Sequence, residues 1–156
     1  MFGPSLLVCA VTEPMYYGPE STPVDREKTW KCYLPAGTGW YDYWTNEKYK
    51  GGQYVTVEAP IDRIPVFVKA GAVIPVADGL VYAQQEPKKP IQLMVYPGQM
   101  VSLYCMRMKE IITILKWRVC NYKAVWDESA GRLNIGEREG SFPGMGEAVY
   151  QTVIVK

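Results

Sequence analysis

Short apolar segments separated by turn residues make up most of the first hundred positions of the chain. Residues 53–57 alternate, with Tyr54 and Thr56 on one face and Val55 and Val57 on the other, which is typical of a half-buried strand. The 12 prolines and 14 glycines leave little room there for a helix of ordinary length. The pattern therefore predicts short strands at residues 6–11, 30–34, 40–44, 48–49, 53–57, 67–69 and 73–74.

A polar stretch divides this pattern into two parts. Residues 84–90 read Gln-Gln-Glu-Pro-Lys-Lys-Pro, which is typical of a linker. Strand-like segments resume at residues 91–96, 132–135 and 148–155. The sequence therefore predicts an all-β chain, with an antiparallel β-sandwich at residues 1–80, a linker at 81–90 and an incomplete second β-sandwich at 91–156.

Composition excludes several classes of function. The chain has 156 residues, of which 48% are hydrophobic and 21% charged, so it can bury a core. Its 17 Lys and Arg against 16 Asp and Glu give a net charge of +1, which offers no electrostatic footprint for nucleic acid or an anionic membrane. No apolar run approaches the about 20 residues of a membrane-spanning helix. Because histidine is absent, neither a Ser-His-Asp relay nor an imidazole zinc site can be built.

The four cysteines lie at positions 9, 32, 105 and 120. These spacings fit neither a metal ribbon nor a Cys-x-x-Cys redox motif. An even number would permit two disulfides, but the N-terminal residues do not resemble a secretory signal. We therefore interpret the cysteines as free thiols and predict no metal and no cofactor.

Five motifs occur in order in the first half of the chain. They are Phe-Gly-Pro-Ser-Leu-Leu-Val at residues 2–8, Thr-Glu-Pro-Met-Tyr-Tyr at 12–17, Tyr-Leu-Pro-Ala-Gly at 33–37, Trp-Tyr-Asp-Tyr-Trp at 40–44 and Ile-Pro-Val-Phe-Val-Lys-Ala-Gly-Ala-Val-Ile-Pro at 64–75. Together they resemble the region that follows the catalytic barrel in glycoside hydrolase family 31. Residues 11–17 resemble its α-xylosidase-like branch, and the resemblance resumes at about residues 122–145.

The resemblance implies a fold and a role. Members of this family are retaining α-glucosidases and α-xylosidases, in which a (β/α)8 barrel is followed by a proximal and a distal β-sandwich domain. Their catalytic aspartates lie on barrel loops, and no position of this chain matches those motifs. The resemblance therefore implies an accessory region that is inactive alone and whose partner is the barrel of the parent enzyme, before Met1.

Residues 100–120 depart from the family pattern. The family has an acidic, aromatic run here, whereas this segment carries four basic residues and one acid. If this segment is back-translated with suitable synonymous codons and then read in a shifted frame, it can encode the acidic motif of the family. We therefore hypothesise that the segment is translated out of frame, with the frame restored near Asn121. An unshifted gene would contradict this. Because such a segment keeps no selected alternation of apolar and polar positions, we expect it to be irregular.

The aromatic run at residues 40–44 is the first candidate for a functional site. In an extended strand, Trp40 and Trp44 share a face with Asp42, whereas Tyr41 and Tyr43 lie on the other. Exposed aromatic rings can stack against sugars, but aromatic residues also fill small sandwiches. We interpret the run mainly as packing and retain Trp40, Tyr41, Tyr43 and Trp44 as candidate carbohydrate contacts.

Carboxylates are the second candidate, since a retaining glycosidase needs two of them about 5 Å apart. The acids of suitable type are Glu13, Asp42, Glu47 and Asp62. Nothing in the sequence brings two of them together, and Arg63 beside Asp62 predicts a surface ion pair or a turn cap. Residues 136–140 contain too few acids for a calcium loop and are interpreted as a hairpin tip. We therefore predict no catalytic residue.

Three functional interpretations follow from the sequence. The first is the accessory region of a retaining α-glycosidase, and the second is a free-standing carbohydrate-binding module that binds an α-linked oligosaccharide through residues 40–44. The third is an independent small hydrolase. None involves nucleic acid or a membrane, and the sequence predicts no cellular compartment.

Overall fold

The computed structural model describes residues 1–82, 90–98, 102–108, 119–137, 139 and 150–154. Within these ranges the regular elements are β-strands, together with one 3-10 turn at Pro19–Ser21. Among the described residues, no helix has the length and apolar character that crossing a membrane requires. The all-β class predicted from the sequence is confirmed.

Residues 1–70 form the first of two compact units, called unit 1. Its strands are β1 (Leu6–Val8), β2 (Thr29–Leu34), β3 (Gly39–Asp42), β4 (Lys48–Lys50), β5 (Gln53–Glu58) and β6 (Val66–Lys69). They form a four-stranded sheet with the order β1-β6-β3-β4 and a two-stranded sheet of β2 and β5. All these pairings are antiparallel, and the first places Leu6 opposite Val68.

Both sheets of unit 1 contribute side chains to one core. The buried members are Cys32, Leu34, Val55 and Val57 from the two-stranded sheet and Trp40 and Phe67 from the four-stranded sheet. Val55 and Val57 are buried whereas Tyr54 is exposed, so the alternation predicted for residues 53–57 is confirmed. Two sheets that share one core in this way form a sandwich.

Strand β3 ends two residues earlier than the sequence pattern predicts. The carboxylate of Asp42 accepts hydrogen bonds from the backbone N–H groups of Trp44 (2.7 Å) and Thr45 (3.0 Å). Because an Asp side chain that bonds the backbone two and three residues ahead stabilises a turn, the chain leaves the strand here. The prediction of a continuous strand over residues 40–44, with Trp40 and Trp44 on one face, is therefore wrong.

Residues 71–156 form the second compact unit, called unit 2. Its strands are β7 (Val73–Val76), β8 (Ile91–Val95), β9 (Ser102–Met108), β10 (Val119–Asp127), β11 (Arg132–Ile135) and β12 (Tyr150–Ile154). They form two three-stranded sheets, β12-β8-β7 and β11-β10-β9. Strand β12 pairs with β8 in parallel, whereas the other pairs are antiparallel as predicted.

The core of unit 2 also joins two sheets. Val73, Leu93 and Val95 from one sheet pack with Trp126 from the other. The indole Nε1–H of Trp126 donates to Glu128 Oε2 at 2.6 Å, so the ring is buried without an unpaired polar atom.

The division of the chain between the two units falls before the linker that the sequence predicts. Strand β7 pairs with β8 and therefore belongs to unit 2, although the sequence interpretation places residues 71–80 in the first domain. Most of the predicted linker, residues 83–89, lies outside the described residues. The assignment of domains at 1–80 and 91–156 remains a prediction.

Part of the segment predicted to be irregular forms a strand. Residues 102–108 make β9, which pairs with β10 from Val125↔Ser102 to Val119↔Met108. Backbone pairing does not depend on a selected side-chain pattern, so a regular strand can form even where that pattern is absent. Residues 109–118, including the apolar run at 111–115, lie outside the described residues. The reading-frame hypothesis stays a prediction.

Candidate functional site

Trp40 and Tyr41 are structural residues of the core. Trp40 is 2% exposed, and its indole Nε1–H donates to the carbonyl of Pro35 at 2.9 Å. Tyr41 is 4% exposed, and the ammonium group of Lys48 lies 5.2 Å from its ring centroid. Since neither ring presents a face to solvent, both act as packing residues in this structure.

Tyr43 and Trp44 are the members of the aromatic run that solvent reaches. Their ring centroids lie 5.1 Å apart in an edge-to-face arrangement at 88°. Trp44 is 45% exposed, its Nε1–H donates to the carbonyl of Ile64 at 2.9 Å, and the guanidinium of Arg63 lies 5.7 Å from its ring. The structure therefore separates the four candidate carbohydrate contacts into two buried and two accessible rings.

The four candidate carboxylates take part in separate local interactions. Glu13 pairs with Arg26 at 3.1 Å, and Glu47 accepts a hydrogen bond from the hydroxyl of Tyr49 at 2.8 Å. Asp42 stabilises the turn after β3, as described above. The fourth acid, Asp62, lies 3.8 Å from Arg63, so the predicted surface ion pair is confirmed. In the part of the chain that the structure describes, no group of three or more metal-ligating side chains comes together.

Burial and a hydrogen bond alter the acidity of Tyr49. Its ring packs edge-on against Phe67, with centroids 6.1 Å apart. Burial, followed by the hydrogen bond to Glu47, raises the pKa of Tyr49 from 10 to about 12. Both effects disfavour the tyrosinate, the first by desolvation and the second by placing a carboxylate beside the developing charge.

This shift predicts how stability depends on alkaline pH. Because the folded pKa is raised, the contribution of Tyr49 to stability is complete below about pH 10 and is lost as the pH rises towards 12. We expect the difference in tyrosinate absorbance between the wild-type chain and Tyr49→Phe to titrate near pH 12. The same difference in urea should titrate near the ordinary value of about 10. A folded difference that also titrates near 10 would contradict the raised pKa.

An exposed apolar surface lies next to Trp44 and was not singled out from the sequence. We call it the 61–64 surface and define it by Val11, Tyr16, Ile61 and Ile64. Ile61 is 82% exposed and Ile64 is 54% exposed. Together with its neighbours, this surface lines a shallow cavity of about 250 Å³. The two isoleucines between Pro60 and Pro65, outside any strand, are the sequence signal that could have indicated it.

Hydrogen bonds and packing hold the 61–64 surface in place. The backbone N–H of Ile61 donates to the hydroxyl of Tyr16 at 2.9 Å. The ammonium group of Lys28 lies 4.6 Å from the Tyr16 ring centroid and donates to the carbonyl groups of Met15 and Val24. The apolar side chains are therefore presented on a fixed backbone.

Comparison with known proteins relates the chain to one enzyme family. Residues 1–74 match the Glycosyl hydrolase family 31 C-terminal domain. The α-xylosidase of Saccharolobus solfataricus is 34% identical over 143 residues, which cover 90% of this chain and 18% of that enzyme. The human neutral α-glucosidase C is 40% identical over 77 residues, which cover 49% of this chain and 7% of that enzyme.

A solved structure extends the relationship to both units. The crystal structure of a family 31 α-xylosidase from Xanthomonas citri matches 99% of this chain with a TM-score of 0.75 and 28% sequence identity, and the match covers 16% of that enzyme. The chain thus spans less than a fifth of each of these relatives. From the ordered motifs, the sandwich fold and these matches, residues 1–74 belong to the C-terminal domain of glycoside hydrolase family 31, and the chain as a whole is similar to the corresponding region of enzymes of that family.

Proposed function

We propose that this chain is a non-catalytic accessory region of a retaining α-glycosidase, of the α-xylosidase type, and that it supports the catalytic barrel of that enzyme. The match to the family's C-terminal domain over residues 1–74 is the observation that carries the proposal. The xylosidase assignment follows the relatives from Saccharolobus solfataricus and Xanthomonas citri.

The state of the carboxylates supports a non-catalytic role. A retaining mechanism needs one carboxylate as nucleophile and a second as proton donor, about 5 Å apart. Glu13, Glu47 and Asp62 each interact with a different neighbouring side chain, and Asp42 is buried in a turn. These interactions do not pair any two of the four carboxylates with each other.

The 61–64 surface supports contact with a barrel. Large exposed apolar patches with a polar rim commonly mark protein interfaces. Ile61 and Ile64 carry the apolar area, while Glu13 and Arg63 line the same cavity and provide a polar edge. An interface between domains of one chain is commonly of this mixed character.

A chimaera tests the proposal. The matching 143 residues of the Saccharolobus solfataricus α-xylosidase would be replaced by those of this chain. We expect a folded chimaera that cleaves an aryl α-xyloside, whereas the 156-residue chain alone gives no turnover above the blank. In the chimaera, Ile61→Asp with Ile64→Asp should lower the free energy of unfolding by about 3 kcal/mol, because two isoleucines lose their buried partner surface.

The control is Tyr54→Asp, which changes an exposed aromatic residue outside the 61–64 surface. We expect this variant to cost about 1 kcal/mol or less, because Tyr54 loses only its cross-strand contact with Tyr33 and its contact with Lys31. Equal losses for the two variants would contradict the assignment of the interface. Turnover by the isolated chain would contradict the non-catalytic role.

Carbohydrate binding is the second candidate function, and the accessibility of Tyr43 and Trp44 is the observation that favours it. Arg63 lies over the Trp44 ring and would compete with a sugar for it. Saturable binding of xyloglucan oligosaccharides to the isolated chain, lost in Trp44→Ala, would favour this function over the accessory role.

A further inference from the structure

Two cysteines that are distant in the sequence meet in the core of unit 1. Cys9 follows β1, at the edge of the four-stranded sheet, and Cys32 lies within β2 of the facing sheet. Cys9 packs against the core cluster that contains Cys32, its thiol is close enough to interact with that of Cys32, and both are free thiols.

The backbone on each side of the pair is fixed. The N–H of Cys9 donates to the carbonyl of Pro65 at 2.9 Å, and Cys32 lies opposite Val55 in the ladder between β2 and β5. Cys32 belongs to the core cluster, and Cys9 packs against it. Both thiols are therefore attached to backbone that is held by the sheets, and they lie at the same core of unit 1.

The two thiols differ in their access to solvent. Cys32 is 2% exposed, whereas Cys9 is only partly buried. A reagent in solution can therefore reach the sulfur of Cys9 more readily than that of Cys32.

The contact between the thiols also makes their acidities unequal. The hydrogen bond from Cys32 lowers the pKa of Cys9, and its effect outweighs that of burial. The same hydrogen bond, together with burial, raises the pKa of Cys32. Since the thiolate is the reactive form of cysteine, the more accessible thiol is also the more reactive one.

We propose that Cys9 and Cys32 form a reversible intramolecular disulfide by exchange with a small-molecule disulfide, with Cys9 as the attacking thiol and Cys32 as the resolving thiol. The Cys9 thiolate attacks one sulfur of the small disulfide, forms a mixed disulfide and releases one thiolate. Cys32 then loses its proton and attacks the Cys9 sulfur, which closes the protein disulfide and releases the second thiolate. The two protein thiols are oxidised, the small disulfide is reduced to two thiols, and no other oxidant is needed.

This disulfide would join the two sheets of unit 1. Among the described residues, β1 is an edge strand of the four-stranded sheet and pairs there with β6. A covalent bond from Cys9 to β2 would tie this edge strand to the opposite sheet. Oxidation is therefore expected to raise the thermal unfolding midpoint of the chain.

The experiment uses the full chain with Cys105→Ser and Cys120→Ser, so that the proposed pair provides its only thiols. The protein is equilibrated with mixtures of oxidised and reduced glutathione, quenched with acid and analysed by mass spectrometry and peptide mapping. We expect the loss of two hydrogens and a Cys9–Cys32 peptide. The folded chain should reach half-oxidation at an oxidised-to-reduced ratio about tenfold or more below that needed in urea, because folding holds the thiols together.

Single variants test the order of attack. In this background, Cys32→Ser should trap glutathione on Cys9, whereas Cys9→Ser should leave Cys32 unmodified. The order can also be measured without either variant, because brief alkylation of the folded, reduced chain should label Cys9 before Cys32. Circular dichroism would verify that each sample is folded.

Three results would overturn the proposal. They are a folded chain that needs the same glutathione ratio as the urea-unfolded chain, a folded chain that forms no Cys9–Cys32 peptide at any ratio, and alkylation of Cys32 before Cys9.

Discussion

Replacement of Trp40 by alanine is expected to lower the free energy of unfolding of unit 1 by about 3–5 kcal/mol, the cost of removing a large buried aromatic side chain. The ring is 2% exposed and belongs to the core shared by the two sheets. Its loss also leaves the carbonyl of Pro35 without the indole donor. Since small proteins are stabilised by about 5–15 kcal/mol, a large part of the population should unfold at moderate urea concentrations. Urea denaturation followed by circular dichroism measures the loss.

Two further variants test the separate contributions. One distinguishes the effect of packing from that of the hydrogen bond, and the other compares a buried ring with an exposed one. Trp40→Phe keeps most of the apolar volume but loses the N–H donor, so we expect a smaller loss than for alanine. Trp44→Ala removes a ring that is 45% exposed and should cost about 1 kcal/mol or less. If Trp40→Ala and Trp44→Ala unfolded at the same urea concentration, Trp40 would not be the core residue described here.

Replacement of Gly51 by alanine is expected to cost about 3 kcal/mol, because the new methyl group has no space. A Cβ atom at this position would lie 2.2 Å from the carbonyl oxygen of Pro35 and 2.5 Å from that of Thr38. Both contacts are with backbone atoms, so a side-chain rotation cannot relieve them. The N–H of Gly51 also donates to the carbonyl of Thr38 at 3.0 Å, and any backbone shift would strain this bond.

The matched control is Gly18→Ala, at a φ of −90° that alanine readily adopts. Its Cβ would meet the Thr22 hydroxyl at 3.2 Å, which is a side-chain atom that can move. We expect Gly18→Ala to change the unfolding midpoint in urea only slightly. A similar midpoint for Gly51→Ala would contradict the close approach of the two loops at Pro35 and Gly51.

The strands were largely predictable because local patterns determine them. The alternation at residues 53–57 and the Gly51-Gly52 break before it correspond to β5 and to the turn that precedes it. The early end of β3 was not predictable from the apolar pattern. The strand ends because the carboxylate of Asp42 accepts hydrogen bonds from the backbone N–H groups of Trp44 and Thr45. The parallel pairing of β12 with β8 depends on tertiary contacts that no local pattern encodes.

The candidate site was predictable only in part. The sequence identified the aromatic run, but burial of Trp40 and Tyr41 depends on how the two sheets pack. The 61–64 surface lies in an irregular segment, where periodicity carries no information about which side chains are exposed. Cys9 and Cys32 come close because the two sheets of unit 1 face each other. Their spacing in the sequence therefore gives no indication of this proximity.

The pairing of Leu6 with Val68 has a consequence for the rate at which unit 1 folds. These partners stand near opposite ends of the unit, so its first strand finds its place only after almost all of the intervening chain has been brought together. Proteins dominated by such distant pairings have a high contact order and fold in milliseconds to seconds. We therefore expect unit 1 to fold slowly and cooperatively. We do not expect a stable N-terminal hairpin to form first.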